Sequence, residues 1–459
     1  MYLLTFLAKA RELRRNARLT RGRLEAMQAA KLRRLATFAY RRSAYYRDVM
    51  HQRAIDAGSC DIDEFRALTK RDVLDNFDRI VTDPRVTRDS IRAFLAKSAD
   101  PTELMMGRFH VVHTSGSSGE VGIFVYSLDD CARGLAQVSR LHAMGLRRRR
   151  IAYFGAVGGH FAGVSIMSSA TGSPTRALYD TLICDINTPL APVVEQLNRF
   201  QPNLLGGYAT GLKILAEQQR KGSLRIAPGV LHSSGEPLGP DDRALLEQTF
   251  GAPCLNVYAT TEHLLMGASA SDGQGVRLFE DDLIFELQPD CTFVTNLFNF
   301  TLPLIRYKLA DIMTPLSVDD SSGPYQRVNE VVGRSEVVPW FRNEAGGRDF
   351  VSPLVIVEIY VPGVRRFQME LVDEQSFVFR YCVEPGLVEQ ARRAARDGLQ
   401  AKLADILRRK RMANVRFDLI EVEDLTVDPR TGKFKLILAN FMQPAIYSSW
   451  PGFQQGIHR

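Results

Sequence analysis

Four short segments of this chain collect the residue types needed to handle a phosphate ester. His113-Thr114-Ser115-Gly116-Ser117-Ser118-Gly119 follows an apolar run. Small residues there let backbone amides converge on an anion, and the hydroxyls add donors. No Gly-Lys-Ser/Thr follows at Walker A spacing, and position 120 is Glu rather than the Gly of a nucleophile elbow. Tyr258-Ala259-Thr260-Thr261-Glu262 also follows an apolar run. A carboxylate beside a hydroxyl at a strand end can hold Mg²⁺ and touch a phosphate, although the same residues suit a helix N-terminus with Thr as its cap. Arg306-Tyr307-Lys308-Leu309-Ala310-Asp311 offers an isolated Asp able to bond both hydroxyls of a ribose, and Val332-Gly333-Arg334-Ser335-Glu336 follows it. Near the C-terminus, Asp428-Pro429-Arg430-Thr431-Gly432-Lys433-Phe434-Lys435 presents lysines on a Pro/Gly turn. Singly, each segment also suits an ordinary turn.

These segments need elements to hold them. From His110 short apolar runs (HVVHT, IAYFGAV, NLLGGY, GVLHSSG, CLNVYAT) alternate with helical stretches such as 130–144 and 193–200, the pattern of parallel sheets in an α/β fold. After Arg334 the runs VIVEIYV, RFQMELV, SFVFRYCV and VRFDLIEV read as strands around a charged helix at about 387–411. Residues 1–95 carry helical periodicity and few glycines. The expected architecture is α/β: a helical arm (1–95) packed on a large lobe of sheets flanked by helices (96–333), and a small, mobile α+β C-terminal domain (334–459).

Composition narrows the function. Hydrophobic residues make up 45% of the 459 residues and charged ones 24%, which excludes collagen-like, coiled-coil and fully disordered chains. The net charge of +7 is local: residues 1–50 hold thirteen Lys or Arg against three acids, so the rest of the chain is mildly acidic. Six cysteines lie scattered without metal-ligand spacing, and the charge-free stretch 151–175 holds five glycines and His160, so it is no membrane span. The opening MYLLTFLAKA has too short an apolar run for a secretory signal, and a reducing, cytoplasmic setting is expected.

In combination, the segments resemble those of the adenylate-forming enzymes, the acyl- and aryl-CoA synthetases, and within them the phenylacetate-CoA ligase family with its CapK-like members. TSGSSG stands in the place of that superfamily's phosphate loop, SSGEPL (233–238) of its adenine-side segment and YATTE of Y-G-x-T-E. RYKLAD stands for Y-R-x-G-D, GRSE for G-R-x-D, and PRTGK for the C-terminal Gly-Lys loop. The chain departs from the pattern in Ala259 and Ala310, in its short PRTGK turn, and in lacking a Lys after the phosphate loop.

The resemblance implies roles. Thr114, Ser115, Gly116, Ser117, Ser118 and Gly119 would grip the ATP phosphates, Thr261 the α-phosphate and Glu262 the Mg²⁺. Gly235, Glu236, Pro237 and Tyr258 would flank the adenine, Asp311 would take the ribose, and Arg334 the ribose or the domain junction. Glu336 would be the hinge, and Lys433, with Lys435 as competitor, would reach the reacting carboxylate. His160, Phe161 and Tyr208 would wall the acid pocket, His160 being equally suited to a core position. The implied reaction activates a carboxylic acid, aromatic by likeness, to an acyl-adenylate with pyrophosphate release. The acyl group then passes to the thiol of coenzyme A or of a carrier-protein phosphopantetheine. Two alternatives stand: transfer of AMP to a cofactor hydroxyl, and a membrane or nucleic-acid binder acting through residues 1–50. The acid, the pathway and the oligomeric state are not legible in the sequence.

Overall fold

The computed structural model describes residues 2–98, 100–113, 122–141, 149–157, 160, 179–270, 273–289, 291–309, 311, 313–316, 323–329, 337–357, 359, 361–426 and 435–439. The first of these form an arm of six helices: α1 (Tyr2–Asn16), α2 (Arg21–Arg42), α3 (Ala44–Arg53), α4 (Lys70–Asp75), α5 (Phe77–Ile80) and α6 (Arg88–Leu95). Helix α2 buries Leu24, Gln28, Leu32, Leu35, Ala36 and Ala39, the three-to-four spacing of one apolar stripe. Each leucine contributes about 1.5–3 kcal/mol by leaving water. Ser43 ends this helix and caps the next by accepting from the Tyr46 amide at 3.3 Å.

Charge fixes the arm to the body. Lys9 and Lys31 reach the buried Asp282 at 2.6 and 2.8 Å, Arg21 reaches Glu280 at 2.8 Å, and Asn16 donates to Asp281 at 2.8 Å. Arg140, from the body itself, also pairs with Asp281. Part of the basic excess of the first fifty residues is thus met by the consecutive acids Glu280-Asp281-Asp282.

In the large lobe β1 (Phe109–His113) and β2 (Ile123–Ser127) pair antiparallel and lead into α7 (Leu128–Leu135). Instead of the helix read over 130–144, α7 starts two residues earlier, under a Ser127–Asp130 capping box, and tightens into a 3₁₀ turn over Ala136–Arg140. There follow β3 (Arg149–Gly155), β4 (Tyr179–Asp185), α8 (Leu190–Phe200), β5 (Leu204–Gly207), α9 (Ala209–Arg220), β6 (Val230–Ser234), α10 (Pro240–Phe250) and β7 (Cys254–Thr260). The strands lie parallel in the order β4-β3-β5-β6-β7. After β7 the chain reverses at residues 261–263 into β8 (Leu264–Ser269), so YATTE closes a hairpin and starts no helix. β9 (Val276–Leu278) continues that sheet. β10 (Leu283–Leu287), β11 (Thr292–Asn296) and β12 (Tyr307–Leu309) form a separate antiparallel sheet, and β13 (Pro315–Leu316) and β14 (Arg327–Val328) complete the nine-stranded one.

The C-terminal domain holds β15 (Trp340–Arg342), β16 (Arg348–Phe350), α11 (Pro353–Val357), β17 (Val364–Asp373), β18 (Ser376–Val383), α12 (Glu389–Arg409), β19 (Arg416–Glu421) and β20 (Ile437–Ala439). Its main sheet runs β19-β18-β17-β20. The run VIVEIYV, read as a strand, corrects to the short helix α11 over its first three residues. Pro353 supplies the fixed φ favoured at a first helical position, and the consecutive apolar residues Leu354-Val355-Ile356-Val357 carry no alternation to mark them as strand. This domain meets the large lobe through Arg409 with Asp185 at 2.7 Å and through the fully buried Lys410, which donates to the Thr188 carbonyl at 3.0 Å and, within its own domain, pairs with Asp349 at 3.1 Å.

Candidate active site

The parallel strands carry the expected residues to their carboxyl ends, the edge where open α/β sheets take ligands. Tyr208 follows β5, Gly235 and Glu236 follow β6, and Tyr258, Thr261 and Glu262 lie at the end of β7. Gly235 has φ +78°, and a Cβ there would sit 3.2 Å from the Tyr208 ring, so this turn needs glycine for both conformation and space. Tyr208 is buried, and its hydroxyl accepts from the Ala156 amide at 3.4 Å, just past β3. Pro237 is exposed on the same turn.

Two tyrosine–carboxylate bonds stitch YATTE to RYKLAD reciprocally. Tyr258 donates to Asp311 at 2.7 Å, and Tyr307 donates to Glu262 at 3.4 Å. Each motif therefore supplies one hydroxyl and one carboxylate, and each orients the other's acid. Burial, helped by the charges of Asp311 and Glu262, holds the Tyr258 phenol far above its ordinary range, so it remains a donor. Thr261 is fixed by its carbonyl, which accepts from the buried Tyr126 hydroxyl at 2.8 Å. Asp311 is fixed by Thr292, whose hydroxyl donates to its backbone carbonyl at 3.0 Å.

Glu262 is raised above the ordinary carboxylate range, chiefly by burial and further by Asp311, while Lys70 and the Tyr307 hydroxyl act against the shift. Lys70 is a residue that sequence reasoning passed over. Leu68 pairs with Tyr307 as an added strand, its amide donating to the Arg306 carbonyl and its carbonyl accepting from the Lys308 amide, both at 2.9 Å. Two residues on, the Lys70 stem reaches Gly122, where a Cβ would stand 3.0 Å from Lys70 Cε. Gly122 is the first described residue after the Ser/Thr/Gly loop. The arm thus delivers a cation between the exit of that loop and Glu262. Locally Lys70 looks like any lysine after a Thr69–Asp72 capping box, and only the tertiary pairing of Leu68 singles it out.

His263, also unassigned from the sequence, is fully buried edge-on to Tyr307, and neither ring nitrogen has a partner among the described residues. Burial pushes it down to about 3, so it is neutral at physiological pH.

Other expected residues have contacts of their own. The Glu236 carboxylate accepts from the Thr210 amide at 2.7 Å at the start of α9, and burial raises it. His160 is buried against the arm, with Nε2 3.1 Å from the Ser98 hydroxyl, its ring 5.0 Å from Phe94, and its carbonyl accepting from the His113 amide at 3.1 Å. Burial lowers it below its usual range. Lys435 is exposed, and its carbonyl accepts from Gln368 at 2.7 Å. Thr114, Ser115, Gly116, Ser117, Ser118, Gly119, Phe161, Arg334, Glu336 and Lys433 lie outside the described residues. Among the described residues no cluster of three or more metal-ligating side chains occurs and no helix is long and apolar enough to cross a membrane.

No family model matches the chain. It is similar to the protein CapK of Staphylococcus aureus, 24% identical over 246 residues that make up 50% of this chain and 52% of CapK, so the match spans about half of that relative. Among solved structures it resembles 2-hydroxyisobutyryl-CoA ligase in complex with 2-HIB-AMP and CoA in the thioesterification state. That likeness has a TM-score of 0.57 at 16% identity over 93% of this chain and 91% of the other. The same ligase in the postadenylation state with 2-HIB-AMP gives 0.55 at 16% identity over 92% and 91%.

Proposed function

We propose, from the adenylate-forming ligase fold that the chain has, that it activates a carboxylic acid with ATP. The acid's oxygen would attack the α-phosphate to give an acyl-adenylate and pyrophosphate, and a thiol, that of coenzyme A or a carrier-protein phosphopantetheine, would then displace AMP. The observation that carries this reading is the reciprocal pair Tyr258–Asp311 and Tyr307–Glu262 at the carboxyl ends of the parallel strands, with Lys70 beside it.

The chemistry divides among these residues. Asp311, held by Tyr258, presents a carboxylate able to accept both hydroxyls of a ribose. Tyr208 and Gly235 leave a flat wall for a base. Thr261 and the Ser/Thr/Gly loop supply hydroxyl and amide donors to phosphate oxygens. Glu262 would hold Mg²⁺. Its carboxylate beside that of Asp311 is a hard oxygen set whose mutual repulsion a divalent cation relieves, and the bound ion would neutralise charge on the phosphates. Lys70 places a positive charge on the same side, replacing the lysine that the loop lacks. Lys433, or Lys435, would approach the reacting carboxylate from the C-terminal domain, and rotation about Glu336 would withdraw it for thiol attack. That rotation would have to break the contacts of Arg409 and Lys410 with the large lobe. An aromatic acid and a cytoplasmic setting belong to this proposal. A second reading, implied by the resemblance of the motifs to CapK-like enzymes, is AMP transfer to a hydroxyl.

A pyrophosphate-release screen over aryl, alkyl and amino acids tests the reading. Acid-dependent release in the wild type, lost in Glu262→Gln, is expected. ATP binding without release for any acid would sink it, and a stable adenylylated alcohol would favour the second reading.

A further inference from the structure

A cavity of about 640 Å³ opens between α2, the start of α7 and Phe300. Arg34, Phe38 and Arg41, at i, i+4 and i+7, share one face of α2 and line it, and Arg133 faces them from α7. Phe38 meets the Phe300 ring edge-on at 5.2 Å, and the Arg34 guanidinium stands 5.5 Å over the same ring. The two carboxylates in the wall take neutral donors and, among the described residues, no cation. Asp129 accepts from Thr5 at 3.0 Å, and the buried Asp130 accepts from Ser127 at 2.7 Å, from Thr301 at 2.6 Å and from the Phe300 amide at 3.1 Å. Arg33, also in the wall, is engaged with Asp61 and the Cys60 carbonyl, both at 3.3 Å.

Arg34, Arg41 and Arg133 are different. None makes an ion pair with any described residue, although two acids line the same cavity. The arm therefore sorts its cations. Lys9, Arg21 and Lys31 pair with the acids at 280–282 and fasten it to the body, whereas three arginines line a concave, aromatic-floored space without an ion pair among the described residues. Guanidinium forks match phosphate oxygens two at a time, and a volume of this size is typical of small-molecule sites.

We infer that this cavity binds a phosphate-bearing ligand, its phosphate held by Arg34, Arg41 and Arg133 and its organic part against Phe38 and Phe300. The ligand is a soluble phosphomonoester or the headgroup of an anionic lipid. The second source is in reach because Thr5, bonded to Asp129 in the cavity wall, adjoins Leu4, which is 73% exposed at the start of α1. The site contains none of the residues assigned to adenylate formation and stands independently of that reading.

The test uses the full chain, the triple variant Arg34→Gln/Arg41→Gln/Arg133→Gln, and the charge-keeping triple Lys variant. Inorganic phosphate is titrated while thermal stability is followed, and in parallel each protein is sedimented with phosphatidylcholine vesicles with and without phosphatidic acid. The comparison between variants removes any phosphate bound at the Ser/Thr/Gly loop, which all three share. A saturable phosphate response weakened about tenfold or more in the Gln variant and kept in the Lys variant supports a soluble ligand. Retention on phosphatidic acid vesicles with the same variant pattern supports the lipid headgroup. Identical behaviour of wild type and Gln variant in both measurements, with unchanged circular dichroism, overturns the inference.

Discussion

The Asp282→Asn substitution tests how the arm, and with it Lys70, is held. Asp282 is buried and accepts from both Lys9 at 2.6 Å and Lys31 at 2.8 Å, with the Lys9 side chain only 6% exposed. Removing one partner of such a buried pair costs about 3–5 kcal/mol because the remaining charge keeps its desolvation penalty. Here two ammonium groups lose one carboxylate, and the partial exposure of Lys31 places the cost near the lower end, about 3 kcal/mol. At 1.4 kcal/mol per factor of ten, the opening equilibrium of α1 and α2 rises about 10²-fold. Hydrogen exchange reads this directly: amides of these two helices should lose about 10²-fold protection while those of α12 keep theirs. The pH dependence carries a sign. Burial would raise the Asp282 carboxyl, but Lys9 and Lys31 outweigh it and hold the group below its ordinary range. Its contribution is therefore fully present above the unfolded value near 4 and is lost as pH falls through the depressed folded value. The gap between wild type and variant should accordingly be constant near neutrality and close in acid. Unchanged protection in α1 at neutral pH, or a loss shared equally by α12, would refute the reasoning.

Three further outcomes follow from the site. Tyr258→Phe removes the 2.7 Å bond to Asp311 and should weaken ATP binding about tenfold, measured by calorimetry, with the protein otherwise folded. Lys70→Met should lower acid-dependent pyrophosphate release by about 10²-fold and Lys70→Arg by less, whereas equal rates would remove Lys70 from the phosphate site. Because burial and Asp311 raise Glu262 while Lys70 opposes the shift, the acidic limb of the kcat/KM profile, which reports the free enzyme before Mg²⁺ and ATP arrive, should lie above the ordinary carboxylate range. Lys70→Met should move that limb to still higher pH, and an unmoved limb would contradict the assignment of Glu262.

Much of the candidate site was legible because residue types able to handle a phosphate ester fall together in short segments. Tyr258, Glu262 and Asp311 could be named from YATTE and RYKLAD, and the parallel strands from their apolar runs. What the segments do not contain is their cross-linking. The donation from Tyr307 to Glu262 joins residues 45 positions apart, and Lys70 arrives through the pairing of Leu68 with Tyr307. No local pattern encodes either. The run VIVEIYV hides its helix for a related reason: consecutive apolar residues show no alternation that separates strand from helix, and the local sign of a helical start is Pro353, two residues ahead of the run. The basic arm, whose charge invited a polyanion, turns three of its cations inward to Glu280-Asp281-Asp282, a pairing that only the fold brings about.

The central claim is that a carboxylate oxygen attacks the α-phosphate of ATP. The most direct measurement follows ¹⁸O from a labelled aromatic or other carboxylate that passes the pyrophosphate screen. With a thiol acceptor present, the account predicts one labelled oxygen in the released AMP. Unlabelled AMP formed at the same rate would contradict it.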